Sequence, residues 1–134
     1  MGEIWRSSAT HIAGAVRRGD LSARDAVEAS LRRLEAVEPI INAFGDRAED
    51  ALQRAAAADA ARARGAELGP PHGVPVAFKD NHAVAGRPTT HGVPAFTATA
   101  TGDGGLRAGR ALSQGGSHRC WAYPDAPVRS ALDY

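Results

Sequence analysis

The sequence predicts an α/β chain in which helices come first, one or more strands follow, and a tail without pattern closes it. Three observations point there. Apolar residues recur at helical spacing before residue 40, and alanine dominates residues 47–65. "VPVAF", Val74 to Phe78, is an apolar run of strand length with β-branched residues. From Thr97 to Tyr134 the only aliphatic residues larger than alanine are Leu106, Leu112, Val128 and Leu132, set among six glycines. Such a stretch cannot bury enough surface to offset its ordering entropy. The chain is 134 residues long, the size of one domain, divided into a patterned part, 1–96, and an irregular part, 97–134.

The elements follow in order. A short helix places Ile12 and Val16 on one face and ends at Gly19. A second runs from about Ala23 to Val37. Val27, Leu31 and Leu34 share its apolar face, Arg24, Arg32 and Arg33 point elsewhere, and Ser22 with Asp25 forms a capping-box start. Pro39 is expected to end it, since proline lacks the N–H and restricts Glu38 before it. "PIINAF" then reads as a buried strand or connector. Asp46 is expected to cap a third helix, which stops at Gly65. The strand Val74 to Phe78 carries Pro75 at its start, where a missing ladder donor costs least. Residues 80–96 form a long loop punctuated by Gly86, Pro88, Gly92 and Pro94.

Composition excludes several function classes. Sixteen basic and fifteen acidic residues are interspersed, leaving no stripe for nucleic acid. No apolar run suits a signal peptide or a membrane span, so a cytoplasmic protein is expected. A single cysteine, Cys120, rules out an internal disulfide and paired-thiolate zinc, and no His or carboxylate spacing calls for a metal. "GDGGLRAG" lacks the preceding strand and the Gly-Lys-Ser/Thr ending of a phosphate cradle.

Lys79 is the candidate for chemistry. It is the only lysine in a chain with fifteen arginines, and it ends the apolar strand. An ammonium in apolar surroundings is driven toward its neutral form, and a neutral lysine can act as a base. Asp80 is no automatic partner, because adjacent strand residues face opposite ways. The plainer reading is a surface lysine snorkelling at the end of an edge strand. Position alone leaves both open.

"GPPHGVPVAFKDN" followed by "VAGRPTTHG", within a match from about Leu21 to Phe96, resembles the N-terminal part of the amidase signature family. The resemblance implies an α/β fold with a mixed sheet and flanking helices, of which this chain would carry the N-terminal helices and first strand or strands. It implies hydrolysis of a small-molecule amide, or transfer of ammonia to an activated glutamate, by a Ser, cis-Ser, Lys triad without a cofactor. Lys79 falls on the family's catalytic lysine, which takes the nucleophile's proton through the bridging serine and must be neutral to do so. Thr89, Thr90 and Gly92 fall on a loop that orders backbone near the triad. His72, His82 and His91 surround Lys79 in sequence, and the family gives them no base role.

The chain also departs from that family. The two triad serines and the oxyanion donors belong to a Gly/Ser-rich segment well beyond the lysine. "QGGSH", Gln114 to His118, lies too soon after Lys79 and lacks the surrounding pattern, so Ser117 reads as coincidence. Reading the codons of Gln114 to Val128 one nucleotide later permits a run of the form "AGAxVVGRTxMPxF", which resembles the family's continuation. A frameshift between about Phe96 and Gln114 is therefore expected, with an inactive isolated chain. The alternative is a non-catalytic fragment, a partner-binding module or a remnant of an ammonia-channelling amidotransferase subunit. Either way, an incomplete sheet leaves a strand edge open to self-association, so a poorly soluble or molten state is expected.

Overall fold

The computed structural model describes residues 3–45, 48–79, 82, 89–91, 93 and 95, and the backbone of 120–122. A 3₁₀ turn, Ile4–Arg6, leads into helices α1 (Ala9–Arg18), α2 (Ala23–Ile41) and α3 (Ala51–Ala63), and then into strand β1 (Ala77–Lys79). β1 pairs antiparallel with β2 (Cys120–Ala122), with Ala77 opposite Ala122 and Lys79 opposite Cys120.

Local chemistry sets the ends of α1. The Ser8 hydroxyl accepts from the His11 N–H at 3.2 Å, and the Asp20 N–H returns to the Ala15 carbonyl past Gly19. Ile12 and Val16 are buried as their spacing requires. α2 opens on the Ser22 hydroxyl, which accepts from the Asp25 N–H at 2.9 Å. A second acceptor arrives from far along the chain: the Asp59 carboxylate takes the N–H groups of Ala23 (2.7 Å) and Arg24 (3.1 Å). Four amides lack partners at a helix start, so this carboxylate from α3 both satisfies two of them and ties the helices together.

α2 does not stop before Pro39. It continues to Ile41, and Asn42, in the left-handed region at φ 45°, closes it with an N–H bond to the Glu38 carbonyl at 2.8 Å. The Glu38 carboxylate also accepts from the Phe44 N–H at 2.9 Å. Proline forfeits only its own N–H bond, and the helix closes two residues later with the Asn42 and Phe44 amides both held by Glu38. "PIINAF" is accordingly neither strand nor buried connector: Ile40 is 86% and Ile41 52% exposed.

α3 also begins later than expected. Asp46 lies outside the described residues, and the N-cap is Asp50, whose carboxylate pairs with Arg54 at 2.6 Å rather than with an amide. The expected stop holds, with Gly65 at φ 69° bonding the Arg62 carbonyl and Ala66 reaching back to Ala61.

The core joins Ile12, Ala13 and Val16 of α1, Ala23, Ala26 and Val27 of α2, Ala51, Ala55 and Ala58 of α3, and Val74. Val16 and Val27 are its largest fully buried side chains, each worth about 1.5–3 kcal/mol. Alanine elsewhere lets the helices approach closely. Outside this core, Trp5 carries the guanidinium groups of Arg6 and Arg33 at 4.9 and 4.6 Å from its ring centre, fastening the N-terminal turn to α2.

The strand is shorter than "VPVAF" promised and shifted toward Lys79. Val74 belongs to a turn, donating its N–H to the Pro71 carbonyl at 3.0 Å, and Pro75 has no N–H to offer a ladder. The tail shows no strand period, yet Cys120–Ala122 pairs with β1. Three residues are too few to display an alternation.

Candidate functional site around Lys79

Lys79 ends β1 and is half-buried. Among the described residues none pairs with its ammonium. Its carbonyl accepts the His82 N–H at 3.0 Å.

The segment leading to the strand is fixed by all three helices. Arg17 of α1 donates from one Nη to the carbonyls of Gly69 and Pro70, both at 2.8 Å. The His72 N–H bonds the Gly69 carbonyl at 3.1 Å and shapes the turn. The His72 ring, 3% exposed, places Nε2 at 2.9 Å from the Ala58 carbonyl of α3. A carbonyl only accepts, so Nε2 carries the proton. Gly73 sits at φ 75°, so close to Val16 and Ala23 that an added Cβ would lie 2.9 Å from a methyl carbon of each. Lys79 is thus presented at the end of a short strand whose root is anchored in the helical core.

Of the remaining residues singled out by sequence, Thr89 and Thr90 are half-buried and His91 is exposed, with φ 51°. The Val93 N–H bonds the Thr90 carbonyl at 2.8 Å. The Thr89 hydroxyl is buried and has no hydrogen-bond partner among the described residues. Asp80, Gly92 and Ser117 lie outside the described residues. Sequence reasoning singled out Lys79 but missed the Arg17 clamp and the buried His72 bond. Neither has a local signature, since each joins residues more than a dozen positions apart.

Among the described residues no group of three His, Cys, Asp or Glu side chains could hold a metal. No helix there is long and apolar enough to cross a membrane.

Three helices thus precede a short strand whose last residue is the single lysine of the sequence. The model of the Amidase family matches residues 25–106, and the chain belongs to that family, the amidase signature enzymes. It is 48% identical over 95 residues to the indoleacetamide hydrolase of Bradyrhizobium diazoefficiens, covering 70% of this chain and 18% of that protein. It is 42% identical over 110 residues to a glutamyl-tRNA(Gln) amidotransferase subunit of Streptomyces coelicolor, covering 75% and 22%. The native peptide amidase of Stenotrophomonas maltophilia superposes with a TM-score of 0.67 at 29% identity, over 73% of this chain and 21% of that one. The chain therefore spans about a fifth of the length of the relatives it matches.

Proposed function

We propose that this chain carries the general base of an amide-bond hydrolase of the Ser, cis-Ser, Lys type, and that Lys79 is that base. The observation that carries the reading is the placement of the only lysine: half-buried at the end of β1, behind an anchored segment, inside the matched residues 25–106. In this reading the amine accepts a proton from a bridging serine, which takes it from the nucleophilic serine as the acyl-enzyme forms. The substrate is a small-molecule amide, no cofactor takes part, and the setting is cytoplasmic.

The isolated chain is read as inactive. Ser113, Ser117 and Ser130 follow Lys79 without the surrounding pattern of a nucleophile segment, and a base without nucleophile and oxyanion donors has no route to acyl transfer. Residues 1–96 are the amidase part, and 97–134 are read as an out-of-frame continuation that leaves a sheet edge open to self-association. Resequencing the gene from the codon of Pro94 onward tests this. One inserted or deleted base that restores "AGAxVVGRTxMP" and a serine-rich segment supports it, and Lys79→Ala in the restored enzyme should then abolish amide hydrolysis. Turnover of simple amides by the 134-residue chain itself, lost in Lys79→Ala, would overturn the inactive reading.

Identity to the Streptomyces amidotransferase component favours a second reading. There the same lysine would serve release of ammonia for transfer to a partner-held acceptor, and the restored protein would need partner chains for its reaction.

A further inference from the structure

We infer that His72 is a positioning residue for Lys79: its Nε2–H bond to the Ala58 carbonyl sets where the lysine-bearing strand leaves the helical core. Its catalytic meaning rests on Lys79 being the base, but the placement itself does not.

The argument starts from cost. His72 is the one buried polar side chain among the described residues, at 3% exposure. Burying an imidazole costs free energy that a leucine at the same place would not, and the fold recovers it only through a well-made bond. The acceptor is a helix carbonyl, and a helix interior already supplies a donor to such a group through its own i+4 amide. α3 therefore has no need of His72, and the bond serves the segment that carries it. Apolar contact is non-directional, so packing alone would let the turn slide along the smooth alanine face of Ala51, Ala55 and Ala58. A directed bond to one carbonyl selects one position on that face.

The neighbours divide the remaining freedom. Arg17 holds the start of the segment by the Gly69 and Pro70 carbonyls, and Gly73 packs against Val16 and Ala23. These contacts bring the segment to α1 and α2. His72 supplies its hydrogen bond to α3, and Val74 is the last buried core residue, with half-buried Val76 still packed against the core, before the chain reaches β1. Lys79 stands only five positions beyond Val74, so a shift at the turn passes directly into where the amine sits.

The test compares His72→Ala with His72→Gln, whose side-chain amide reaches about as far as Nε2 and can donate to the same carbonyl. Amide hydrogen exchange is read residue by residue, together with acylation of the single lysine by an amine-reactive ester, located by peptide mass. In His72→Ala, exchange from Val74 to Lys79 should accelerate about tenfold, as expected for loss of a buried bond. The Lys79 acylation rate should change by at least about threefold, while the core amides of α1 and α2 stay within about twofold. His72→Gln should return both readouts toward wild type. An unchanged strand in His72→Ala, equal acceleration in every helix, or no recovery in His72→Gln would each overturn the proposal. None of these readouts depends on turnover, so the positioning role can fail while Lys79 remains the base, and the reverse.

Discussion

Gly73→Ala should be among the most damaging small changes in the molecule, and its size can be worked from two separate causes. The position has φ 75°, where a residue with a Cβ costs about 1–2 kcal/mol more than glycine. The new methyl would also meet Ala23 Cβ and Val16 Cγ1 at 2.9 Å and Val16 Cγ2 at 3.3 Å, within a core where both neighbours are fully buried. Forcing a methyl into such packing costs a further 1–3 kcal/mol or so. The molecule supplies its own control. Gly65 has φ 69°, and a methyl added there would meet nothing within 4 Å, so Gly65→Ala suffers the backbone cost alone. Both substitutions restrict the unfolded chain equally, so that contribution cancels in the comparison. Urea unfolding followed by helical circular dichroism, with the slope checked for constancy, should place Gly73→Ala about 1–3 kcal/mol below Gly65→Ala. Losses equal within about 0.5 kcal/mol would refute the packing argument and mean that the turn lifts away from α1 and α2 at little cost.

Other substitutions test other links. Asp59→Ala removes the acceptor of two amides at the start of α2 and should cost about 1–2 kcal/mol, at least as much as Ser22→Ala at the local cap, by the same unfolding measurement. Glu28→Gln breaks two exposed pairs, to Arg24 at 3.3 Å and Arg32 at 3.4 Å, and should stay within about 1 kcal/mol of wild type. Ile40→Lys exchanges an 86% exposed apolar side chain for a cation near the C-terminal end of α2, and sedimentation should show less self-association with the helical signal intact.

Legibility followed the range of the interaction. The apolar faces of α1 and α2, the Ser22 cap and the stops at Gly19 and Gly65 are readable because each is settled within one or two helical turns. The end of α2 departs from expectation because Pro39 removes a single donor near the helix end, and the helix closes just beyond it with the Asn42 and Phe44 amides bonded to Glu38. Asp59, which caps a helix thirty-six positions earlier, is invisible in sequence for a different reason. No local pattern announces that partner, nor β2, nor the burial of His72. Composition and resemblance single out Lys79 as a proposal, whereas the clamp on the segment before it becomes visible only in three dimensions.

The basic residues divide by what their chemistry permits. Arg17 spans two backbone carbonyls, Arg6 and Arg33 lie over an indole ring, and Arg24, Arg32 and Arg54 hold carboxylates; each is a place for a planar, permanently charged group with several donors. Lysine stands only at residue 79. If that position merely needed a cation, arginine would serve there as it does elsewhere. A base is different, because a guanidinium does not give up its proton in a protein. Lys79→Arg should therefore leave the stability of this chain within about 0.5 kcal/mol of wild type, as a conservative change outside the packed core does. If restoring the frame yields an active amidase as proposed, Lys79→Arg should abolish its amide hydrolysis as completely as Lys79→Ala. An active Lys79→Arg enzyme would show that charge, and not proton transfer, is what this position supplies.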